Sequence, residues 1–346
     1  MVGVDSMPSP RPEAVSVATS PATVGSARQA AKAPVSSPAN SASFTTFSLV
    51  SLFSPSSGAG AGACWANREA PVAPAKAASS PWFQPPAESS LPNNAFGALV
   101  RQGQAIFLNT KALAPQYVGN ELACVNCHLD RGRKANSAPL WAAYTMYPAY
   151  RKKNDKVNSF AERMQGCFQF SMNGKAPAAD SEVLSALTAY AYWLSTGAPV
   201  GQALPGRGFD EPMPPKGGYD IARGAQVYSA QCALCHGANG EGKKVGATQV
   251  FPPLWGKDSY NWGAGMHRIN TAAGFIQHNM PLGKGETLSD QEAWDVAAFV
   301  NSHERPQDPR LVNHDIEATR KKFHEGDGVN LYGVMVDGVL LGQGVN

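Results

Sequence analysis

Apolar residues recur at helical spacing in four segments, and these segments form two similar pairs along the chain. In the first pair, the opening helix is predicted over residues 95–107, with apolar positions at Leu99, Val100, Ile106 and Phe107. Its closing helix is predicted over 180–196, with Asp180 or Ser181 as N-cap and Gly197 as the stop. This closing helix has a buried stripe formed by Val183, Leu184, Leu187, Tyr190, Ala191 and Leu194.

The second pair repeats the arrangement over residues 220–228 and 288–300. Ser289 and Glu292 form a capping box at the start of its closing helix. In each pair the opening helix contains one glycine whose missing side chain permits close approach of the closing helix, Gly103 and Gly224. The pattern therefore predicts two helix pairs, each separated by a long intervening segment.

Each opening helix is followed by one copy of Cys-x-x-Cys-His, formed by Cys124, Cys127 and His128 and by Cys232, Cys235 and His236. Two thiols at this spacing form thioethers to a porphyrin, and the adjoining histidine becomes an axial ligand of the iron. The knuckles of a zinc ribbon lie about 15–20 residues apart, much closer than these two motifs. A thioredoxin-like pair requires a βαβ setting, which neither segment has. The repeat predicts two covalently bound c-type haems.

The predicted fold is all-α, with two tandem cytochrome c-like domains, each wrapped around one covalently attached haem. We expect domain 1, with the catalytic haem, over 83–204 and domain 2, with the electron-transfer haem, over 205–304. A Gly- and Pro-rich stretch, 199–218, predicts the linker, and 305–346 forms a C-terminal extension. Residues 1–80 are expected to be a disordered leader with an export signal.

Composition narrows the location and the partners. The net charge is only +3, which excludes the basic footprint of a nucleic-acid-binding protein. Covalent haem attachment takes place outside the bacterial cytoplasm, so we expect a periplasmic protein. An apolar run at 44–53 and the small residues 61–63 predict a cleavable signal, with lipid anchoring through Cys64 as the alternative. No segment predicts a transmembrane helix.

The distal ligands of the two irons are predicted to differ. In the second domain Met280, followed by a proline, is favoured over His278 and His267. The first domain has no Met-Pro in the corresponding place, and Cys167 competes there with Met164 and Met172. A thiolate would lower the iron potential, whereas a free cysteine is often simply a small buried residue. Cationic residues gather around Cys167, and most of these are expected to form a solvated face.

The chain resembles the thiosulfate dehydrogenases, di-haem cytochromes c that couple two thiosulfates into tetrathionate. The resemblance covers about 83–344 and is carried by the haem motifs, by 139–144, 148–151, 162–167, 171–175, 199–201 and 206–209, by Met280-Pro281, and by 322–324, 331–333 and 336–338. The Ser-Met-Asn-Gly-Lys element at 171–175 is its most specific part.

The resemblance implies that the His128/Cys167 haem is catalytic and that the His236/Met280 haem relays electrons outward. It also implies that Arg163 and Ser171 line the thiosulfate pocket. A further basic residue is expected upstream, either Arg151 or Lys153. Some family members carry a lysine directly before the distal methionine. Asn279 stands there in this chain, so a lysine–methionine ligand exchange is not available.

The expected function is oxidation of thiosulfate to tetrathionate, with electrons passed to a small acceptor cytochrome c. One rival is a di-haem electron-transfer cytochrome without a substrate, which leaves Cys167 and its basic neighbours unexplained. Another rival is the haem subunit of a sulfur-oxidising carrier complex, which requires a partner subunit. A di-haem peroxidase requires an open catalytic iron, which a Cys167 ligand would close.

Overall fold

The computed structural model describes residues 81–246 and 248–345. The predicted leader, its export signal and Cys64 lie outside the described residues. Within the described part, all the longer elements are helices, and the strands are short. This confirms the prediction of an all-α fold. No helix in this part is long and apolar enough to cross a membrane.

The first helix pair appears where the apolar pattern predicted it. Helix α1 spans Ala95–Leu108, and the Asn94 side chain caps it by accepting a hydrogen bond from the Gly97 amide at 2.9 Å. Helix α2, Phe160–Gly166, precedes the closing helix α3, Glu182–Leu194. Helix α3 is shorter than predicted at both ends, since Ser181 is its N-cap and Ser195 is its C-cap.

The second pair has the same design. Helix α4 spans Ile221–Gln231, helix α5 spans Ile269–Asn279 and helix α6 spans Asp290–Asn301. Ser289 and Glu292 form the predicted capping box at the start of α6, since each side chain bonds the backbone amide of the other residue. The starts of both closing helices were thus readable from local sequence, because capping chemistry is local.

The two glycines lie where the helices cross. A Cβ on Gly103 would lie 2.0 Å from the Ala186 carbonyl oxygen of α3, and one on Gly224 would lie 2.0 Å from the Asp295 carbonyl oxygen of α6. Helix α1 therefore packs directly on the backbone of α3, and α4 on that of α6. The prediction of close approach at both glycines is confirmed.

Shorter elements shape the loops. Single helical turns are Thr110–Leu113, Leu129–Gly132, Leu140–Ala143, Ala233–His236 and Ile316–Thr319. Turns of 3-10 helix are Glu88–Ser90, Pro115–Tyr117, Cys124–Asn126, Tyr144–Met146 and Gly265–His267. Two π-helical turns are Cys167–Ser171 and Arg320–His324. The strands form three antiparallel hairpins. They pair β1, Ala149–Arg151, with β2, Lys156–Asn158; β3, Lys243–Val245, with β4, Thr248–Phe251; and β5, Met335–Val336, with β6, Val339–Leu340.

The cores join parts of the chain that are far apart in sequence. The first core packs α1 against α3 around Trp141 and Tyr190, and it also contains Tyr260 from the second half of the chain. The second core surrounds Trp262 and includes three residues of the C-terminal extension, Leu331, Tyr332 and Leu341. The extension is thus part of the second core rather than an appendage.

Candidate haem centres

The first haem-attachment motif is held in a fixed shape by its own backbone. Cys124–Asn126 form a 3-10 turn, and the His128 amide donates to the Cys124 carbonyl at 3.0 Å. The Nδ1 atom of His128 lies 2.7 Å from the Ala138 carbonyl oxygen. This bond fixes the ring and leaves Nε2 as the nitrogen available for iron.

Cys167 lies next to His128 at this site. Helix α2 begins with a capping box formed by Ser159 and Glu162, and it continues directly into the π-helical turn Cys167–Ser171. Arg163 lies one helical turn before Cys167, and its Nη1 donates to the cysteine Sγ at 3.1 Å. The thiol is also within hydrogen-bonding reach of the His128 side chain. A proximal histidine and a sulfur donor thus face each other.

The surroundings favour the thiolate form of Cys167. Burial raises the pKa of this thiol, but the Arg163 charge and the hydrogen bonds from His128 and Arg163 outweigh it, and the pKa is about 6. The pKa of Arg163 is raised in turn, chiefly by the charge of Cys167. A deprotonated cysteine is the form that binds metal.

A cavity of about 500 Å³ is lined by both candidate ligands. It is mostly apolar, and both motif cysteines and His128 line it together with Met164, Cys167 and Met172. All three predicted distal candidates therefore reach this cavity. The contact between Cys167 and His128 favours the cysteine over the two methionines. The donors and the cavity fit a c-type haem.

Basic and hydroxyl side chains line the same cavity. Arg163, Ser171 and Arg151 are all on its wall. Lys153 instead turns its ammonium group to the Gly263 carbonyl and lies 4.2 Å from the centre of the Phe170 ring. Burial and the charges of Arg310 and Arg163 lower the pKa of Lys153 to about 7. Of the two upstream basic residues predicted, Arg151 is thus the one on the cavity wall.

The second motif is built in the same way. His236 places its Nδ1 2.9 Å from the Pro252 carbonyl oxygen, which again leaves Nε2 for iron. A cavity of about 320 Å³ is lined by this histidine, both motif cysteines and Met280. This donor set also fits a c-type haem.

The competing histidines of the second domain lie elsewhere. His267 is buried between the Ala264 carbonyl and the ring of His324. His278 is held by Asn136 and Glu286. Neither histidine lines the cavity, so Met280 is the predicted ligand that the structure brings to His236.

The two cavities share part of their lining. Leu122 and Cys127 line both of them, and Val125, Asn126 and Leu129 of the first motif region line the second cavity. Groups bound in the two cavities would therefore be neighbours, separated by little more than the first attachment segment.

Comparison with known proteins agrees with this geometry. Residues 115–200 match the family model described as SoxA/TsdA, cytochrome c domain. Residues 219–300 match the model described as cytochrome C oxidase, cbb3-type, subunit III. A thiosulfate dehydrogenase of Stutzerimonas stutzeri (strain A1501) is 68% identical over 270 residues, which cover 78% of this chain and 88% of that protein. The chain belongs to the thiosulfate dehydrogenase family.

Other relatives extend the same result. A thiosulfate dehydrogenase of Thiomonas intermedia (strain K12) is 53% identical over 80% of this chain and 89% of that protein. The solved thiosulfate dehydrogenase (TsdBA) of Marichromatium purpuratum superposes with a TM-score of 0.74 at 51% identity. That match covers 78% of this chain, and the chain spans 59% of the length of the solved one. Two tandem cytochrome c domains and two covalently bound c-type haems follow from these matches.

The structure of this thiosulfate dehydrogenase family member adds residues that the sequence analysis missed. Arg207, from the linker, and Arg268, from the second domain, both line the first cavity. Arg207 lies in a motif that carried the family resemblance, which was the only sequence signal for it. Met266 lines the second cavity beside Met280, and nothing in its local sequence indicated this.

Proposed function

We propose that this chain oxidises two thiosulfates to tetrathionate at the centre formed by His128 and Cys167, and that electrons leave through the centre formed by His236 and Met280. One observation carries this proposal: the Cys167 sulfur faces His128 and accepts a hydrogen bond from Arg163 at 3.1 Å. A simple electron-relay cytochrome requires neither the sulfur nor the half-buried guanidinium beside it.

The residues divide the work by their chemistry. Cys124, Cys127, Cys232 and Cys235 would hold the two haems through thioethers, and His128 and His236 would bind the irons. Cys167 and Met280 would supply the other sulfur ligands, one a strong thiolate donor and the other a thioether that raises the potential. Different potentials give electrons a direction of travel between the two centres.

The substrate is a small dianion, so the first centre must supply positive charge. Arg163 provides a guanidinium next to the reactive sulfur, and Arg151 provides a second cation on the same wall. Ser171 adds a hydroxyl that can donate to a sulfonate oxygen. A hydrogen bond to a charged group contributes about 1.5–3 kcal/mol, which is enough to orient a thiosulfate.

The reaction balances without a proton. Two S₂O₃²⁻ ions become one S₄O₆²⁻ ion as one sulfur–sulfur bond forms, no bond breaks and two electrons leave. Two bound haems would supply one-electron acceptors for these two electrons. Leu122 and Cys127, which line both cavities, keep the two centres adjacent for this transfer.

The electron acceptor is proposed to be a small soluble cytochrome c, and the reaction is proposed to occur in the periplasm. Support for the location comes from the covalent haems, which are attached outside the bacterial cytoplasm. The domain bounds 83–204 and 205–304 are proposed because each range contains one helix pair and one Cys-x-x-Cys-His motif.

The direct test is thiosulfate-dependent reduction of ferricyanide by the purified holoprotein, with tetrathionate measured as product. We expect the Cys167→Gly variant to retain both covalent haems and to lose tetrathionate formation. Met164→Leu is the matched control, because it removes a competing sulfur from the same cavity wall at similar volume. Full turnover by Cys167→Gly, or loss of turnover in Met164→Leu alone, would contradict the proposal.

A further inference from the structure

The Cys167–Ser171 turn is π-helical, so its backbone does not follow the α-helical hydrogen-bond pattern. The Met172 amide donates to the Cys167 carbonyl at 2.9 Å, and the Gly174 amide donates to the Phe168 carbonyl at 2.9 Å. The carbonyls of the other three residues of the turn take side-chain or backbone donors from outside it. The residues that donate these hydrogen bonds therefore fix the position of the turn and of Cys167 within it.

Asn261, from the second domain, supplies two of them. Its Nδ2 donates to the Gln169 carbonyl at 2.9 Å, and its backbone amide donates to the Phe170 carbonyl at 3.2 Å, which also accepts from the Asn173 amide at 3.4 Å. The same Nδ2 also donates to Asn173 Oδ1 at 3.0 Å. Its Oδ1 accepts from the Gly263 amide at 3.0 Å. The side chain of Asn261 is completely buried with its donor and acceptor atoms both used.

Asn120, from the first domain, supplies the third. Its Nδ2 donates to the Ser171 carbonyl at 2.8 Å and to the Ser259 carbonyl at 3.0 Å. The Ser259 carbonyl belongs to the same second-domain segment as Asn261. Asn120 therefore ties the turn to that segment from the other side.

This segment also reaches both haem cavities. Tyr260 and Met266 line the second cavity, and Arg268 lines the first. Residues 259–268 of the second domain thus border the electron-transfer centre and also form hydrogen bonds with the turn that contains Cys167. Burial of the polar contacts makes them costly to break, because carbonyls left without a donor cannot turn to water.

We propose that Asn261 is a positioning residue of the second domain that holds the Cys167 turn in register with His128. The inference rests on the proposed role of Cys167 as the distal ligand. Asn261 does not line the cavity and acts only through the turn. The second domain then serves two purposes, as the electron relay and as part of the scaffold of the first centre.

The test compares variants of the holoprotein by low-temperature EPR and by optical spectroscopy. Asn261→Leu removes the donor and the acceptor, and Asn261→Asp keeps the acceptor for the Gly263 amide but removes both side-chain donors. We expect both variants to shift or split the low-spin ferric signal of thiolate ligation at the first centre. The absorption band of the iron–thioether bond at the second centre should stay, and kcat should fall by about 10- to 100-fold.

The matched control is Asn301→Leu. Asn301 is also completely buried in the second domain, where it donates to the Ala297 carbonyl at 3.0 Å and accepts from the Tyr260 hydroxyl at 3.1 Å. Its side-chain hydrogen bonds go to Ala297 and Tyr260 and not to the π-helical turn, so its variant should keep the thiolate signal. An equal change in Asn301→Leu would overturn the inference, because Asn301 holds Tyr260 next to Asn261 and the effect would then follow from any disturbance of that segment.

The remaining outcomes are separable. An unchanged thiolate signal in both Asn261 variants overturns the inference and leaves the proposed function intact. A wild-type protein without any thiolate signal overturns the role of Cys167 itself, and the inference fails with it. If Asn261→Leu does not fold, the isosteric Asn261→Asp decides. Loss of the second-centre band in that variant also overturns the inference, since Asn261 would then serve the general fold.

Discussion

Cys167 and Arg163 show how one pair of side chains can give a site its chemistry. Burial alone would keep the thiol protonated, and a buried guanidinium alone would lack a counterion. Placed 3.1 Å apart, the two groups stabilise each other's charged forms. The spacing of four residues on helix α2 and its continuation is what allows the contact.

Replacing Arg163 tests the anion-binding role. Arg163→Gln should lower kcat/KM for thiosulfate by about 10- to 100-fold, since a charge-assisted hydrogen bond of roughly 1.5–3 kcal/mol is lost. Steady-state kinetics on the holoprotein would measure this. Lys152→Gln is the control, because Lys152 belongs to the same basic run but is exposed. Equal losses in the two variants would show that only the overall field of the basic run matters.

The helix pairs show how a single missing side chain can fix the packing of two elements. In α1 and α4 a glycine faces the backbone of the closing helix, and no rotamer change could make room for a Cβ at 2.0 Å from a carbonyl oxygen. The helices would have to move apart. Because each pair borders a haem cavity, such a movement would also be felt at the cavity wall.

Gly103→Ala should therefore destabilise the protein despite the higher helix propensity of alanine. We expect a loss of about 1–3 kcal/mol in the free energy of unfolding, the usual cost of overpacking. Urea unfolding of the holoprotein would measure it. Gln102→Ala, at the exposed neighbouring position of the same helix, should change stability by no more than about 0.5 kcal/mol. A neutral Gly103→Ala would show that the helices separate freely.

At the scale of the whole molecule, the C-terminal extension takes part in a chain of buried, hydrogen-bonded polar side chains next to the second core. His267 lies 3.1 Å from His324, and His324 lies 2.9 Å from Asp308, whose other hydrogen bonds go to Arg310. The ring of Tyr332 stacks on His324 at 3.9 Å. Arg310 in turn packs 4.9 Å from the centre of the Phe170 ring in the π-helical turn. The extension thus connects the second core to the first centre.

This buried chain makes stability depend on pH. Burial, followed by the charge of His324, lowers the pKa of His267 well below the ordinary value of 6.5. Below about pH 6.5, His267 is therefore protonated in the unfolded chain but stays neutral in the folded protein. Stability is complete above about pH 6.5 and falls as the pH is lowered.

Between pH 7 and pH 5 the free energy of unfolding should therefore fall because of this histidine. Urea unfolding of the holoprotein at the two pH values would show the loss. His267→Asn should reduce the difference between the two pH values, whatever its effect at pH 7. His314→Asn, at an exposed position, should keep the wild-type difference. An unchanged pH dependence in His267→Asn would assign the loss to other groups.

Local chemistry explains what could be read from the chain before its structure. The haem motifs, the helix caps at Ser289 and Ser181 and the glycines of α1 and α4 each act within a few residues or on a single neighbouring helix. Their spacing alone was enough to predict two haem sites, the helix pairs and a short choice of distal ligands.

Contacts between segments that are distant in sequence could not be predicted from local patterns. Asn261 meets Gln169 across 92 positions of sequence, and Arg268 reaches a cavity whose haem motif lies in the other domain. Neither residue has a local pattern that distinguishes it from a surface polar residue. Their roles arise because folding brings the second domain and the C-terminal extension against the π-helical turn, and the burial that makes these contacts strong exists only in the folded chain.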